Sequence, residues 1–215
     1  MPRSDAQRNI DALLGAAKEV FAEHGVDVNV RAVAARAGVG TATLYRHFPT
    51  RADLIAAVFR REIDECAAAA PLLAAAHDPD GALELWLRRY TEFVATKQGL
   101  AAALHSGDPA FAALPAYFSE HLEPALRSLL EAAHAAGAVR GDVDALDLLG
   151  AVANLSIPPP GSQDQTRAQR MVALLLDGLR YKPELQALSP PPPRTVSGPP
   201  DRRASRQRGG PIRPG

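Results

Sequence analysis

Within GTATLYRHFPTR, residues 40–51, a Tyr, an Arg and a His occupy successive positions just before a Pro. The chemistry this group offers is recognition. Tyr45 can give its hydroxyl to a phosphate or its ring to a thymine methyl, and Arg46 can reach a phosphate or a guanine edge. Gly40, Thr41 and Ala42 are small enough for the tip of a helix to approach base edges. Thr43 and Tyr45 flank the outward positions Ala42 and Arg46, and His47 adds a further polar group. More donors stand nearby: Asn29 and Arg31 open the preceding helix, and Thr50 and Arg51 open the following one, where the helix dipole also favours a phosphate.

These groups need elements to hold them out. VRAVAARAGVGTATLYRHF, residues 30–48, predicts two short helices crossing steeply over a tight turn. Ala34 is the small residue at the crossing. Gly38 tolerates the positive backbone angle of the turn, and Val39 plugs the corner. Leu44 and Phe48, four apart, form the narrow face by which the second helix holds on. At about 100° per residue, Ala42 and Arg46 then point away from Leu44. Ahead of this unit, Ile10, Leu13, Leu14, Ala17 and Phe21 mark a first helix ending near Gly25. After it, Thr50 caps a long fourth helix striped by Ile55, Phe59, Ile63 and Cys66, with an expected end at Pro71. A small recognition helix entering a major groove is the expected function. The angle alone also occurs in helical proteins that never touch DNA.

The block FAEHGVDVNVRAVAARAGVGTATLYRHFPTRADLIAAVF resembles the N-terminal domain of the tetracycline-repressor-like (TetR/AcrR) regulators over about residues 8–65. The resemblance implies an all-α chain: a three-helix helix-turn-helix domain (6–65, motif about 30–49), then a helical ligand-binding and dimerisation domain (80–185). It implies a homodimer on a double-stranded DNA operator, usually released by a small-molecule effector. The family's usual DNA contacts carry over to Asn29, Arg31, Gly40, Thr41, Ala42, Tyr45, His47 and Arg51. Many members have Thr or Ser in place of Asn29 and Lys in place of Arg51; each exchange keeps a donor.

Beyond a loop at His77–Asp80, helical periodicity continues. Leu83, Trp86, Leu87, Tyr90 and Val94 share one face, and GLAAALH reads as a helical turn. A helix over 117–136 carries Phe118, Leu122, Leu126, Leu129, Leu130 and Ala133 inward, with Pro124 kinking it or marking its first turn. Asp144 caps a helix whose inner face begins Leu146, Leu149, Ala153. The last helix has Ala168, Met171, Val172, Leu175 and Leu179 in register. Six of the chain's eleven aromatics are Trp86, Tyr90, Phe93, Phe111, Tyr117 and Phe118. Singly each reads as core; together they suggest the lining of an apolar pocket with Tyr90, His105, Tyr117 and His121 as polar handles. The resemblance also implies a ligand site there, and this half is similar to an SbtR-like subtype common among actinobacterial members. Leu148, Val152 and Leu155, with Met171, Leu174, Leu175 and Leu179, offer more apolar surface than one inward stripe needs. They are the expected dimer surface, burial inside the protomer being the other reading.

Composition narrows the remainder. The 215 residues have zero formal net charge, so no partner follows from global charge. The Pro- and Arg-rich segment 189–215 holds six Arg and one Asp, leaving −5 on the residues before it. It reads as a disordered basic tail, either a passive extension or a source of sequence-independent DNA affinity. The single Cys66 excludes an intramolecular disulfide and a multi-Cys metal site. No apolar run suffices for a membrane span and no signal-peptide core opens the chain, so a cytoplasmic protein is expected. Arg outnumbers Lys 21 to 3, and Ala, Gly and Pro abound, which suggests a GC-rich bacterial source. No P-loop, G-x-S-x-G, H-E-x-x-H or C-x-x-C pattern occurs, and the one E-x-x-H, Glu131 to His134, lacks the second motif that a di-iron site needs. A non-enzyme without cofactor is expected. A regulator controlled by a protein partner instead of a small ligand is the other reading.

Overall fold

The computed structural model describes residues 5–98, 106–156 and 165–181. Among these residues there is no strand. The helices are α1 (Asp5–His24), α2 (Val30–Arg36), α3 (Thr41–His47), α4 (Arg51–Ala76), α5 (Pro79–Gln98), α6 (Leu114–Ala135), α7 (Ala145–Ser156) and α8 (Gln165–Arg180), with a 3-10 turn at Pro109–Phe111.

The first three helices form because their apolar residues fall on one side. Leu13, Ala17, Val20 and Phe21 of α1 are buried against Val33 and Ala34 of α2 and Leu44 of α3. The end of α2 is a Schellman motif: Gly38 N–H donates to Ala35 O at 3.2 Å and Val39 N–H to Ala34 O at 3.1 Å. Gly38 sits at φ +69°, the left-handed conformation this turn requires. Val39 is half-buried at the corner, as its position after Gly38 predicts. Two helices seven residues long are thereby locked at a crossing that neither would hold alone.

Helix α4 begins with a capping box. Thr50 Oγ1 accepts from Asp53 N–H at 3.0 Å, and the Asp53 carboxylate accepts from Thr50 N–H at 2.9 Å. The expected stop at Pro71 does not occur: α4 runs on to Ala76. Alanines surround this proline and keep helix propensity high. Trp86 donates its indole N–H to Cys66 O at 2.9 Å, beside Ala67, whose carbonyl would have accepted from an N–H at position 71. The result is a 26-residue rod that packs on α1 near its start and on α5 and α6 beyond.

The C-terminal half is built around α5, whose Leu83, Trp86, Leu87 and Tyr90 are wholly buried. Helix α6 starts at Leu114, three residues before the expected start, with Pro115 in its first turn; Pro124 lies inside it. Asp144 caps α7, its carboxylate accepting from Leu146 and Asp147 N–H at 2.8 and 3.1 Å. Leu146, expected inward, is 42% exposed, and the inner face is Ala145, Leu148, Leu149 and Val152. In α8 the buried residues are Val172, Leu176 and Leu179, while Met171 and Leu175 are half-buried. Helices this rich in Leu, Val and Ala have several candidate faces, and packing on α5 selects one. The helical turn expected at GLAAALH and the loop after Ser156 lie outside the described residues. Arg180 ties the end of α8 to the start of α5 through Glu84 at 2.6 Å and Asp80 at 3.0 Å.

Because Gly38 adopts a positive φ, Gly38→Ala is expected to destabilise the chain by about 1–2 kcal/mol. Thermal unfolding of the variant checks this.

Candidate nucleic-acid interface

Helix α3 is held by one edge. Leu44 and the C-cap Phe48 are 1% and 7% exposed, respectively. On the other side Ala42 and Arg46 are exposed and Tyr45 is 46% exposed, while Thr41, Thr43 and His47 are half-buried along the flanks. Gly40, at the N-cap, is exposed and makes no side-chain cap, so nothing shields the helix tip.

The flanking donors are positioned by caps. Asn29 Oδ1 accepts from Arg31 N–H at 2.9 Å and so starts α2. That bond uses the carbonyl end of the amide and leaves its NH₂ to face an acceptor. Arg31 and Arg46 have no acidic partner within ion-pair distance among the described residues. Arg51 differs, its Nη1 lying 3.6 Å from Asp27 Oδ1. A brace behind this surface is not legible in the sequence. Arg36 makes a bidentate pair with Glu23 at 2.7 and 2.9 Å and reaches Glu19 at 3.5 Å, fixing α2 on α1. The Arg36 hydrogen bonds hold the Glu23 carboxyl below its ordinary range. The partners are 13 residues apart on different helices, so helical spacing carries no signal for them.

The aromatic residues of the second half divide into two groups. Trp86 and Tyr90 are wholly buried and stacked, with ring centroids 5.7 Å apart. Their polar atoms are committed: Trp86 to Cys66 O, and Tyr90 Oη donating to Leu149 O at 3.2 Å. Burial pushes the Tyr90 hydroxyl up and likewise the Cys66 thiol, to about 12. Phe93 and Phe111 are buried and Phe118 is half-buried; Phe93 bridges Phe59 of α4 and Phe118 of α6 at 5.4 and 6.3 Å. These five residues behave as core. Tyr117 and His121 form the second group, half-buried and stacked at 3.9 Å. Tyr117 Oη donates to Asp64 Oδ1 of α4 at 2.6 Å, His121 Nε2 lies 3.9 Å from the same oxygen, and the Arg60 guanidinium sits 5.9 Å over the Tyr117 ring. Asp64 and Arg60 were not legible as partners, since only the α4–α6 packing joins them to Tyr117. His105 lies outside the described residues.

The expected dimer residues also separate. Leu148, Leu155, Met171, Leu174, Leu175 and Leu179 line one open apolar groove of about 500 Å³ between α7 and α8. Leu174 is 64% exposed beside it. Val152 is wholly buried inside the protomer and is not among the groove residues, because it lies on the side of α7 turned to the core.

Two family profiles match the chain. Residues 13–58 match the bacterial regulatory proteins of the tetR family, and residues 78–181 match the C-terminal domain of SbtR-like transcriptional regulators. A solved TetR transcriptional regulator from Streptomyces coelicolor is 37% identical, with a TM-score of 0.69 over 80% of this chain and 99% of its own. The chain belongs to the TetR family of transcriptional regulators. A second TetR-family structure, from Mycobacterium vanbaalenii, is 34% identical with a TM-score of 0.64, covering 83% of this chain and 99% of that one. Among curated proteins, an HTH-type transcriptional regulator of Staphylococcus aureus (strain USA300) is 36% identical over 63 residues, 29% of this chain and 34% of that protein. The chain thus matches about a third of the length of that curated relative. As a TetR-family member the protein is a DNA-binding transcriptional regulator, and the tetR-family match contains every residue from Asn29 to Arg51 discussed above. Among the described residues no helix is long and apolar enough to cross a membrane.

The bond to Asp64, with burial, raises the Tyr117 hydroxyl to about 12. The folded regulator therefore holds this proton more tightly than the unfolded chain, whose tyrosines titrate near 10. Its stabilising contribution is complete below about pH 10 and lost as pH rises through about 12. Spectrophotometric titration of Tyr117→Phe is expected to lack this late-ionising phenol and to show a shallower alkaline loss of stability.

Proposed function

We propose that this TetR-family regulator is a repressor that binds a palindromic operator as a homodimer and is released by a small-molecule effector. The observation that carries the DNA half is the division of α3 into a buried edge, Leu44 and Phe48, and an exposed polar face. On this reading residues 6–65 are the DNA-binding domain and 80–185 the ligand-binding and dimerisation domain, in a cytoplasmic, non-enzymatic protein with a basic tail at 189–215. Gly40, Thr41, Ala42 and Tyr45 read bases. Arg46 and His47 hold the backbone, joined by Thr43, Asn29, Arg31 and Arg51.

The dimer reading rests on the apolar groove between α7 and α8 and on exposed Leu174 beside it. An apolar surface of this kind on a regulator that must address two half-sites is best satisfied by its own symmetry mate. A twofold dimer presents its α3 helices about 34–36 Å apart, or at a multiple. For the effector, Trp86 and Tyr90 are poor handles because their polar atoms are already bonded. Tyr117 and His121 are better ones, being half-buried at the α4–α6 contact. An effector that breaks the Tyr117–Asp64 bond would move α4, and with it Ile55, Phe59 and the reading head, with a coupling on the order of 1–3 kcal/mol. The satisfied core around Trp86 and Tyr90 also favours a second reading, control by a protein partner without a small ligand.

Tyr45→Ala is expected to weaken operator binding by roughly 1–3 kcal/mol with an unchanged thermal midpoint. Fluorescence anisotropy on the operator, beside circular dichroism, measures both; an unaltered affinity removes Tyr45 from the interface. Leu174→Glu is expected to convert the dimer to a folded monomer in sedimentation velocity. A dimer that persists would move the interface elsewhere.

A further inference from the structure

Three arginines stand on the proposed DNA surface, and they are not in equal states. Arg31 and Arg46 present guanidinium groups with no acid in ion-pair range among the described residues. Arg51, the first residue of α4, has Asp27 beside it at 3.6 Å. Asp27 lies in the turn between α1 and α2. Its neighbours Val26 and Val28 are half-buried and packed on the core, so the turn is pinned on both sides and the residue between them is turned outward. The Asp27 side chain is fully exposed. The packing of Val26 and Val28 therefore sets the position of the turn, and the ion pair is not what holds it there. A pair so exposed adds little to stability. Its effect is on the field: within a Debye length of about 10 Å, the Asp27 carboxylate offsets much of the charge Arg51 presents.

We infer that Asp27 restrains Arg51, competing with DNA phosphates for its guanidinium and thereby holding down the regulator's affinity for duplex of any sequence. The inference rests on the DNA-surface reading above and adds to it a residue that donates nothing to DNA. A phosphate that engages Arg51 must displace or share Asp27. Because neither step involves a base edge, the restraint acts on non-operator DNA and operator alike. A regulator searching among a large excess of non-specific sites gains free concentration from such a restraint.

The test uses the full chain and a fluorescent duplex of random sequence, titrated across salt concentrations. Asp27→Asn is expected to tighten binding by about threefold to tenfold near 0.1 M salt and to steepen the log–log salt slope by about one, with an unchanged thermal midpoint. Two further chains separate this restraint from general charge. In an Arg51→Ala background the same Asp27→Asn exchange is expected to give no gain. Glu131→Gln, which removes one exposed carboxylate from α6, is expected to leave duplex affinity at the wild-type value. An unaltered affinity in Asp27→Asn, a gain that survives loss of Arg51, or an equal gain in Glu131→Gln would each overturn the proposal. Failure of the wild-type chain to bind any duplex would overturn the DNA-surface reading itself, a result distinct from all three.

Discussion

A seven-residue helix has no stability of its own in water, because the cost of nucleating it exceeds what so few hydrogen bonds return. Helix α3 exists because Leu44 and Phe48 sink into the core that α1 and α2 provide. Burying a side chain such as Leu44 contributes about 1.5–3 kcal/mol, comparable with what the backbone of so short an element lacks. Everything outward on α3 depends on that two-point attachment. The attachment in turn depends on the Schellman turn at Gly38, which sets the crossing of α2 and α3, and on Val33 and Ala34, which bury α2 in the core with α1.

The same economy appears in α4, which serves two neighbourhoods. Its first turns pack with α1, and its later turns carry Phe59 and Asp64 to the aromatic and polar contacts of α5 and α6. A helix that continued only to the proline would have ended before Leu73 and Ala76. Carried through Pro71, it is one continuous element running from the N-terminal helices into the C-terminal half. The contact with α6 at its middle is polar and half-exposed, unlike the apolar packing on either side. Polar contacts at such a place are easier to exchange for water than apolar ones, and the proposed effector control rests on that difference.

Charge is distributed with similar consequence. The cations on and beside α3 differ in their surroundings: among the described residues Arg31 and Arg46 have no acid in ion-pair range, and Arg51 has Asp27 beside it. In the C-terminal half Arg180 joins α8 to α5 through two carboxylates. Both arrangements are ion pairs, but only the second spans two helices with partly buried groups. It has a structural part that the exposed Asp27–Arg51 pair does not.

Much was legible in the residues themselves. The Leu44–Phe48 spacing, Gly38 at the turn, Asn29 and Thr50 as caps and the small tip of α3 follow from local rules, because helix ends and tight turns are decided by the few residues within them. So were the all-helical class and the family, since the motif block lies in one continuous stretch. What the sequence could not decide is which of several apolar faces each C-terminal helix buries. Leu146 and Val152 exchanged expected roles for that reason, and Pro71 did not end α4, which packs along α5 and α6. The pairs that govern the surface, Arg36 with Glu23, Tyr117 with Asp64 and Arg51 with Asp27, join residues on different elements. Local periodicity is blind to such pairs: a side chain's partner across a helix interface is set by crossing angle and register, and those exist only once the helices have packed.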